Sequence, residues 1–168
     1  MQDLEIRIAE SIVDVAVVRQ LWREYWESFG LSMDFQGFGQ ELEGLPGVYG
    51  VGGGVLLLAI YEDEPAGTIA LRRLDRTSGE VKRLYLRPQL RGHGLGRRLL
   101  EAVIERARLF GYESLYADTL PVMTDALILY ERLGFERVQA YSSAPTPGAI
   151  YMKLELVKPS GPAPARAL

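Results

Sequence analysis

A glycine-rich turn carries the clearest chemical signal in this sequence. It reads Arg91-Gly92-His93-Gly94-Leu95-Gly96-Arg97-Arg98. An amphipathic segment follows it, and the first backbone N–H groups of a helix have no partner inside the helix, while the helix dipole adds partial positive charge there. Glycines let an anion approach those groups without Cβ atoms in the way, and arginine side chains suit phosphate oxygens. The turn therefore predicts a phosphate-binding site.

The spacing of the glycines narrows the choice of phosphate ligand. An ATP-binding P-loop ends in Gly-Lys-Ser/Thr, but this turn ends in Gly96-Arg97-Arg98. The dinucleotide fingerprint G-x-G-x-x-G is also missed, because the last two glycines lie one residue too close together. What fits is Arg-x-x-Gly-x-Gly at Arg91, Gly94 and Gly96. The alternative is a helix entered through a glycine turn that binds nothing.

A second motif runs from Ala126 to Phe135 and reads Ala-x-x-Leu-Tyr-x-x-x-Gly-Phe. Together with the glycine-rich turn it resembles the GNAT N-acetyltransferases, and the order of elements agrees over about residues 55–156. This resemblance implies acetyl-CoA as co-substrate, with its pyrophosphate held by the amides of residues 91–97. It also implies that strands 81–86 and 114–118 splay apart and that the pantetheine arm pairs with backbone near Leu84, Tyr85 and Leu86.

Two side chains are the candidate catalytic residues. The resemblance implies that Tyr130 is the acid that protonates the departing thiolate; the alternative is a core aromatic residue on an apolar helix face. Glu80, at the entry of the central strand, is the candidate base for the amine, acting directly or through water. The alternative for Glu80 is a solvated strand end. Backbone N–H groups near Tyr85 or Leu86 are expected to stabilise the oxyanion, and His93 is expected to face phosphate or solvent.

One residue departs from the family pattern. Many members carry asparagine three residues before the alanine of the second motif, and here that position is Met123. The hydrogen bond of that asparagine would then fall to Thr119, Thr124 or a backbone group.

Hydrophobic periodicity predicts the elements that position these residues. Strands are expected at 4–9, 55–61, 66–74, 81–86, 114–118, 136–141 and 149–156, and helices at 15–29, 35–45, 95–110 and 123–133. The expected fold class is α/β (α+β), and the resemblance implies a GNAT-like mixed, mostly antiparallel sheet of about six or seven strands with helices on both faces. The helix between strands 81–86 and 114–118 predicts that this pair is parallel. The aromatic half of the first helix is interpreted as core packing, or as a lining of the acceptor pocket by Tyr25, Trp26 or Glu27.

Composition predicts a single domain, residues 1–157, with a disordered Pro/Ala/Gly-rich tail at 158–168. The net charge of −3 gives no case for nucleic acid as a partner. The absence of cysteine excludes an acyl-cysteine intermediate and fits a cytoplasmic protein, and one histidine leaves little for a transition-metal site, so no metal is expected. Neither a signal peptide nor a membrane partner is expected, because residues 1–10 are acidic and the longest apolar run is short.

The predicted function is transfer of an acetyl group from acetyl-CoA directly to a primary amine of a small molecule or peptide, by a monomer or homodimer. One alternative is a non-catalytic module that binds or senses acyl-CoA, and another is a phosphate-binding interaction protein of unrelated fold. Four acidic residues near the expected pocket favour a cationic amine: Glu27, Glu41, Glu43 and Glu80.

Overall fold

The computed structural model describes residues 3–34, 37–143 and 145–156. Its strands are β1 (Leu4–Ile8), β2 (Val55–Tyr61), β3 (Glu64–Arg73), β4 (Ser78–Leu86), β5 (Ser114–Thr119), β6 (Glu136–Val138) and β7 (Ile150–Glu155). Its α-helices are α1 (Ile12–Ser28), α2 (Phe38–Glu43), α3 (Leu95–Leu109) and α4 (Thr124–Arg132). Positions 35–36 of the predicted second helix and the predicted tail at 158–168 lie outside the described residues. Within the described ranges, every helix is too short or too polar to cross a membrane.

The strands form one sheet in the order β1-β2-β3-β4-β5-β7-β6. Neighbouring strands are antiparallel except for β4 and β5, which are parallel. A parallel pair needs a crossover connection, and α3 supplies it. The mixed, mostly antiparallel sheet and its parallel pair confirm the sequence prediction.

Helices cover both faces of the sheet. On one face, α3 buries Leu99, Leu100 and Val103 against the strands, with part of α4 packed beside it. On the other, α1 and α2 bury Trp22 and Phe38. Because both faces are covered, β2 is apolar and almost wholly buried along its length.

The parallel pair stops short of the end of β4. Its register joins Ser78–Val81 to Ser114–Ala117, while β4 continues to Leu86. Near this point the β3–β4 register shifts, and Arg83 takes a left-handed backbone with φ of 56°. Such a bulge bends its strand and increases the local twist. The last residues of β4 therefore diverge from β5, which is the splay that the resemblance implied.

The start of β4 and the end of β6 differ most from the predicted strand boundaries. The sequence predicts that this strand starts at residue 81, but β4 begins at Ser78. A Cβ atom on Gly79 would lie about 3 Å from the side chains of Leu71, Leu115 and Tyr112, so this glycine allows close packing and does not mark a turn. At the other edge β6 ends at Val138, well before the predicted end at 141.

Candidate active site

The glycine-rich turn connects β4 to α3. A short 3₁₀ turn (Pro88–Leu90) leads into it, and Gly94, with φ of 77°, is the N-cap residue of α3. Among the described residues no side chain caps this helix, so the N–H groups of its first turn are available to a ligand. The helix has 15 residues, long enough for its dipole to favour an anion at this end.

The side chains of the turn have different environments. Arg91 donates from Nε to the carbonyl oxygen of Leu86 at 3.0 Å, which ties the turn to the end of β4. Arg97 pairs with Glu101 one helical turn later, and His93 is exposed. The Leu95 side chain is buried in the core, so toward a phosphate this residue can offer only its backbone N–H.

Beyond the splay, side chains of β4 point to opposite faces of the sheet. Leu84 and Leu86 pack with the core beneath α3, whereas Tyr85 packs with the core beneath α1. A ligand lying in the gap between β4 and β5 would therefore meet the backbone edge of β4. This is the geometry expected for the segment predicted to hold pantetheine.

A small cleft of about 30 Å³ opens where β4 and β5 separate. Its lining comes from α1, β4, β5 and the residues before α4: Tyr25, Trp26, Lys82, Arg83, Asp118, Thr119, Leu120 and Met123. Tyr25 and Trp26 are also buried in the core. Core packing is thus confirmed for these two residues, and a lining of the acceptor pocket stays a prediction, whereas Glu27 is exposed.

An ion pair bridges the strands just past their last paired residues. Lys82 Nζ lies 2.9 Å from Asp118 Oδ1, and the two side chains are only 13% and 17% exposed. Lys82 Nζ also lies 3.9 Å from Glu80 Oε1. Sequence reasoning missed this pair. The only local signal was Asp118, the one charged residue of β5, because β4 also contains the charged residues Glu80 and Arg83.

Arg83 also lines the cleft, and Glu41 of α2 neutralises its charge. Its Nη2 lies 2.6 Å from Glu41 Oε2, and its guanidinium lies over the rings of Trp26 and Phe38 at 4.9 and 5.3 Å. Burial alone would raise the pKa of Glu41, but the hydrogen bond and charge of Arg83 outweigh it and lower that pKa. The hydroxyl of Tyr49 donates to the same carboxylate.

Replacing Glu41 with glutamine should lower the free energy of unfolding at pH 7 by about 3 kcal/mol, because it leaves the buried Arg83 charge without a counter-ion. The native pKa of Glu41 lies below its ordinary value of 4.5. Its carboxylate therefore adds stability above that value, and the gain is lost as pH falls through the native pKa. Urea unfolding between pH 7 and 3 measures both effects. Glu43→Gln, on the exposed face of the same helix, is the control; equal losses in both variants would contradict the argument.

Glu80 is buried inside β4. It is 3% exposed, so the interpretation as a solvated strand end is wrong. Arg72 contacts its Oε1 through Nε at 2.7 Å and Nη2 at 2.6 Å, and the Tyr141 hydroxyl donates to Oε2 at 2.6 Å. This inward turn of Tyr141 accompanies the early end of β6. Burial and the adjacent Glu80 charge raise the pKa of Tyr141, so its hydroxyl stays a donor.

Tyr130 lies in α4 with 3% of its surface exposed, and its ring centroid is 5.1 Å from that of Phe135. It is thus a packed aromatic residue, as the alternative interpretation expected. Burial raises the pKa of its phenol, and Tyr25, Asp118 and Glu80 raise it further. The hydroxyl is therefore protonated at neutral pH.

The position that carries asparagine in many family members behaves differently here. Met123 Sδ accepts a hydrogen bond from the Tyr25 hydroxyl at 3.3 Å. Thr124 Oγ1 donates to the carbonyl of Pro121, whereas Thr119 Oγ1 is buried without a partner among the described residues. Thr119 therefore has the unused hydroxyl group at the cleft.

The acidic residues do not make the cleft negative. Glu41 is paired with Arg83, and Glu80 with Arg72. Glu27 and Glu43 are exposed and outside the cleft lining. The argument for a cationic acceptor thus loses its basis, because the buried charges are balanced.

Comparison with known proteins identifies the family. The sequence model of the Acetyltransferase (GNAT) family matches residues 16–135. An uncharacterized N-acetyltransferase of Schizosaccharomyces pombe is 35% identical over 147 residues, covering 86% of this chain and 90% of the relative.

Solved structures agree with the fold. A GNAT-family acetyltransferase of Staphylococcus aureus has a TM-score of 0.79 at 22% identity, covering 92% of this chain and all of the other. A Salmonella typhimurium protein solved with acetyl-CoA has a TM-score of 0.66 at 21% identity, covering 96% and 98%. From the matched motifs, the fold and the relatives together, this chain belongs to the acetyltransferase (GNAT) family and is an acyltransferase.

Proposed function

We propose that this protein transfers an acetyl group from acetyl-CoA directly to a primary amine of a small molecule or peptide. The observation that carries the proposal is the splay of β4 from β5. The gap between the two strands extends from the uncapped N-terminus of α3 toward the cleft at Lys82 and Asp118. The Salmonella typhimurium protein of the same fold was solved with acetyl-CoA, which supports this choice of donor.

The donor would bind along this path. Its pyrophosphate takes the N–H groups between Arg91 and Arg97, where the helix dipole favours negative charge. Its pantetheine arm pairs with the backbone edge of Leu84–Leu86, which lies past the last residues paired with β5. The thioester then lies beside the cleft, and the acceptor amine enters from the side of α1.

The transfer needs one bond to form and one to break. The neutral amine nitrogen attacks the thioester carbonyl carbon, and backbone N–H groups near Tyr85 or Leu86 stabilise the oxyanion. As the C–S bond breaks, Tyr130 gives its proton to the thiolate. The surplus proton of the amine passes to Glu80, through water because Glu80 does not line the cleft.

A panel of amines with acetyl-CoA, followed by thiol release and product mass, tests the proposal. With an active acceptor, double-reciprocal plots should intersect, because direct transfer requires both substrates to be bound together. Parallel lines with a trapped acetyl-enzyme would contradict direct transfer. Binding of acetyl-CoA without turnover of any amine would favour an acyl-CoA-binding module.

Glu80→Gln should lower kcat/KM about tenfold, less than the ~10²–10⁴-fold of a directly placed acid or base, because solvent can still take the proton. Arg72→Met is the matched control, because it breaks the same ion pair and keeps the carboxylate. If both variants lose the same activity, Glu80 has a structural role only.

A further inference from the structure

An ion pair between Lys82 and Asp118 closes the cleft beside the splay. The cleft volume of about 30 Å³ holds one or two water molecules, and the Lys82–Asp118 ion pair spans it. An acceptor can therefore approach the thioester from this cleft only by separating these two side chains. What the acceptor offers in exchange determines whether it can bind.

A simple amine, whose only charge is its ammonium, would compensate Asp118 but not Lys82 once their ion pair is broken. Its ammonium can replace Lys82 at Asp118, but Lys82 then loses its carboxylate partner. The other acid near Lys82, Glu80, is 3.9 Å away and already accepts from Arg72 and Tyr141. Leaving a mostly buried charge with no close partner is strongly unfavourable.

The second cation of the cleft does not change this requirement. Arg83 is held by two hydrogen bonds to Glu41 and by the rings over which it lies. Its charge is thus compensated, and it needs no anion from the acceptor. When an ammonium binds Asp118, Lys82 is therefore the cleft residue that is left in need of a new anionic partner.

We propose that the acceptor is a free α-amino acid or a close analogue, with its ammonium on Asp118 and its carboxylate on Lys82. The inference rests on the proposed function and deepens it. The ammonium and carboxylate of such a molecule are separated by a single carbon. The two protein charges are direct neighbours, 2.9 Å apart before the acceptor enters, so one small zwitterion that separates them can satisfy both. Thr119 Oγ1, buried and unpartnered among the described residues, is positioned at the same cleft to hydrogen-bond that acceptor. The ammonium loses its proton before attack, as in the transfer described above.

The test compares matched sets of three amines: an amino acid, its α-carboxamide, which imitates a peptide, and its decarboxylated amine. At saturating acetyl-CoA, thiol release measures kcat/KM for each amine. The value for the free amino acid should be about 10- to 100-fold above the values for its carboxamide and its decarboxylated amine, the ratio expected for one charged hydrogen-bonded pair. Lys82→Met should remove this preference, and Lys82→Arg should restore part of it. Lys153→Met, which removes a lysine paired with Glu155 outside the cleft, should keep it.

The outcomes separate the two proposals. Thiol release with no preference for the carboxylate, or a preference that survives Lys82→Met, overturns the inference and leaves the proposed function intact. If the carboxamide has the same kcat/KM as the free amino acid, peptides become the expected acceptors. If no amine of the panel releases thiol although acetyl-CoA raises the Tm, the proposed function fails together with the inference.

Discussion

Replacing Gly94 with valine should raise the KM for acetyl-CoA about 10- to 100-fold and leave kcat at saturation within a few-fold. Gly94 is the last residue before the uncapped N–H groups of α3, and its φ of 77° lies in the left-handed region. A β-branched side chain there is strained and would displace the amides that receive the pyrophosphate. Loss of one hydrogen bond to a charged group costs about 1.5–3 kcal/mol, which corresponds to the stated range.

Backbone strain alone could lower activity, and α3 offers a matched control at its other end. Gly111 has φ of 80°, and like Gly94 it has no atom of the described residues within 4 Å of an added Cβ. Gly111→Val should therefore cost similar stability without changing the KM for acetyl-CoA. Gly96 is a poorer test, because its Cβ would meet Leu129 at 3.4 Å and disturb the packing of α4. If the folded Gly94→Val protein has an unchanged KM for acetyl-CoA, the pyrophosphate does not bind at this turn.

Local patterns in the sequence predicted much of the fold. The apolar run at 55–61 has the bounds of β2, because a strand covered on both faces is continuously apolar and turn residues end it. The parallel pairing of β4 with β5 followed from the length of the helix between them. The glycine-rich turn could be placed because glycine spacing and the following amphipathic helix occur within one short segment.

The partners of the candidate site could not be predicted in this way, because they depend on register between distant segments. Arg72 and Glu80 are opposite each other across the β3–β4 pair, so the correct hairpin register would have found them. Tyr141 is 61 residues from Glu80 and meets it only after β6 ends early. Lys82 and Asp118 meet because both follow the last residues of the parallel pair, a position that no local pattern marks.

Tyr130→Phe should lower kcat about 100-fold, near the lower end of the ~10²–10⁴-fold contributed by a general acid, and leave the KM for acetyl-CoA within a few-fold. The thiolate of coenzyme A is a moderately good leaving group, so the acid assists its departure without being indispensable. Burial raises the pKa of the Tyr130 phenol, so the hydroxyl carries its proton at neutral pH. Phenylalanine keeps the ring that packs 5.1 Å from Phe135 and removes only the oxygen.

The comparison that isolates the chemical role is Tyr112→Phe. Tyr112 is as deeply buried as Tyr130, but its hydroxyl donates to the carbonyl of Gly53, away from the cleft. Its loss should lower the free energy of unfolding by about 1 kcal/mol and leave kcat unchanged. Single-turnover measurements on both variants ensure that the chemical step is the one observed. If Tyr130→Phe retains wild-type kcat under those conditions, Tyr130 only packs, and the proton of the thiol comes from water or from a residue that lines the cleft.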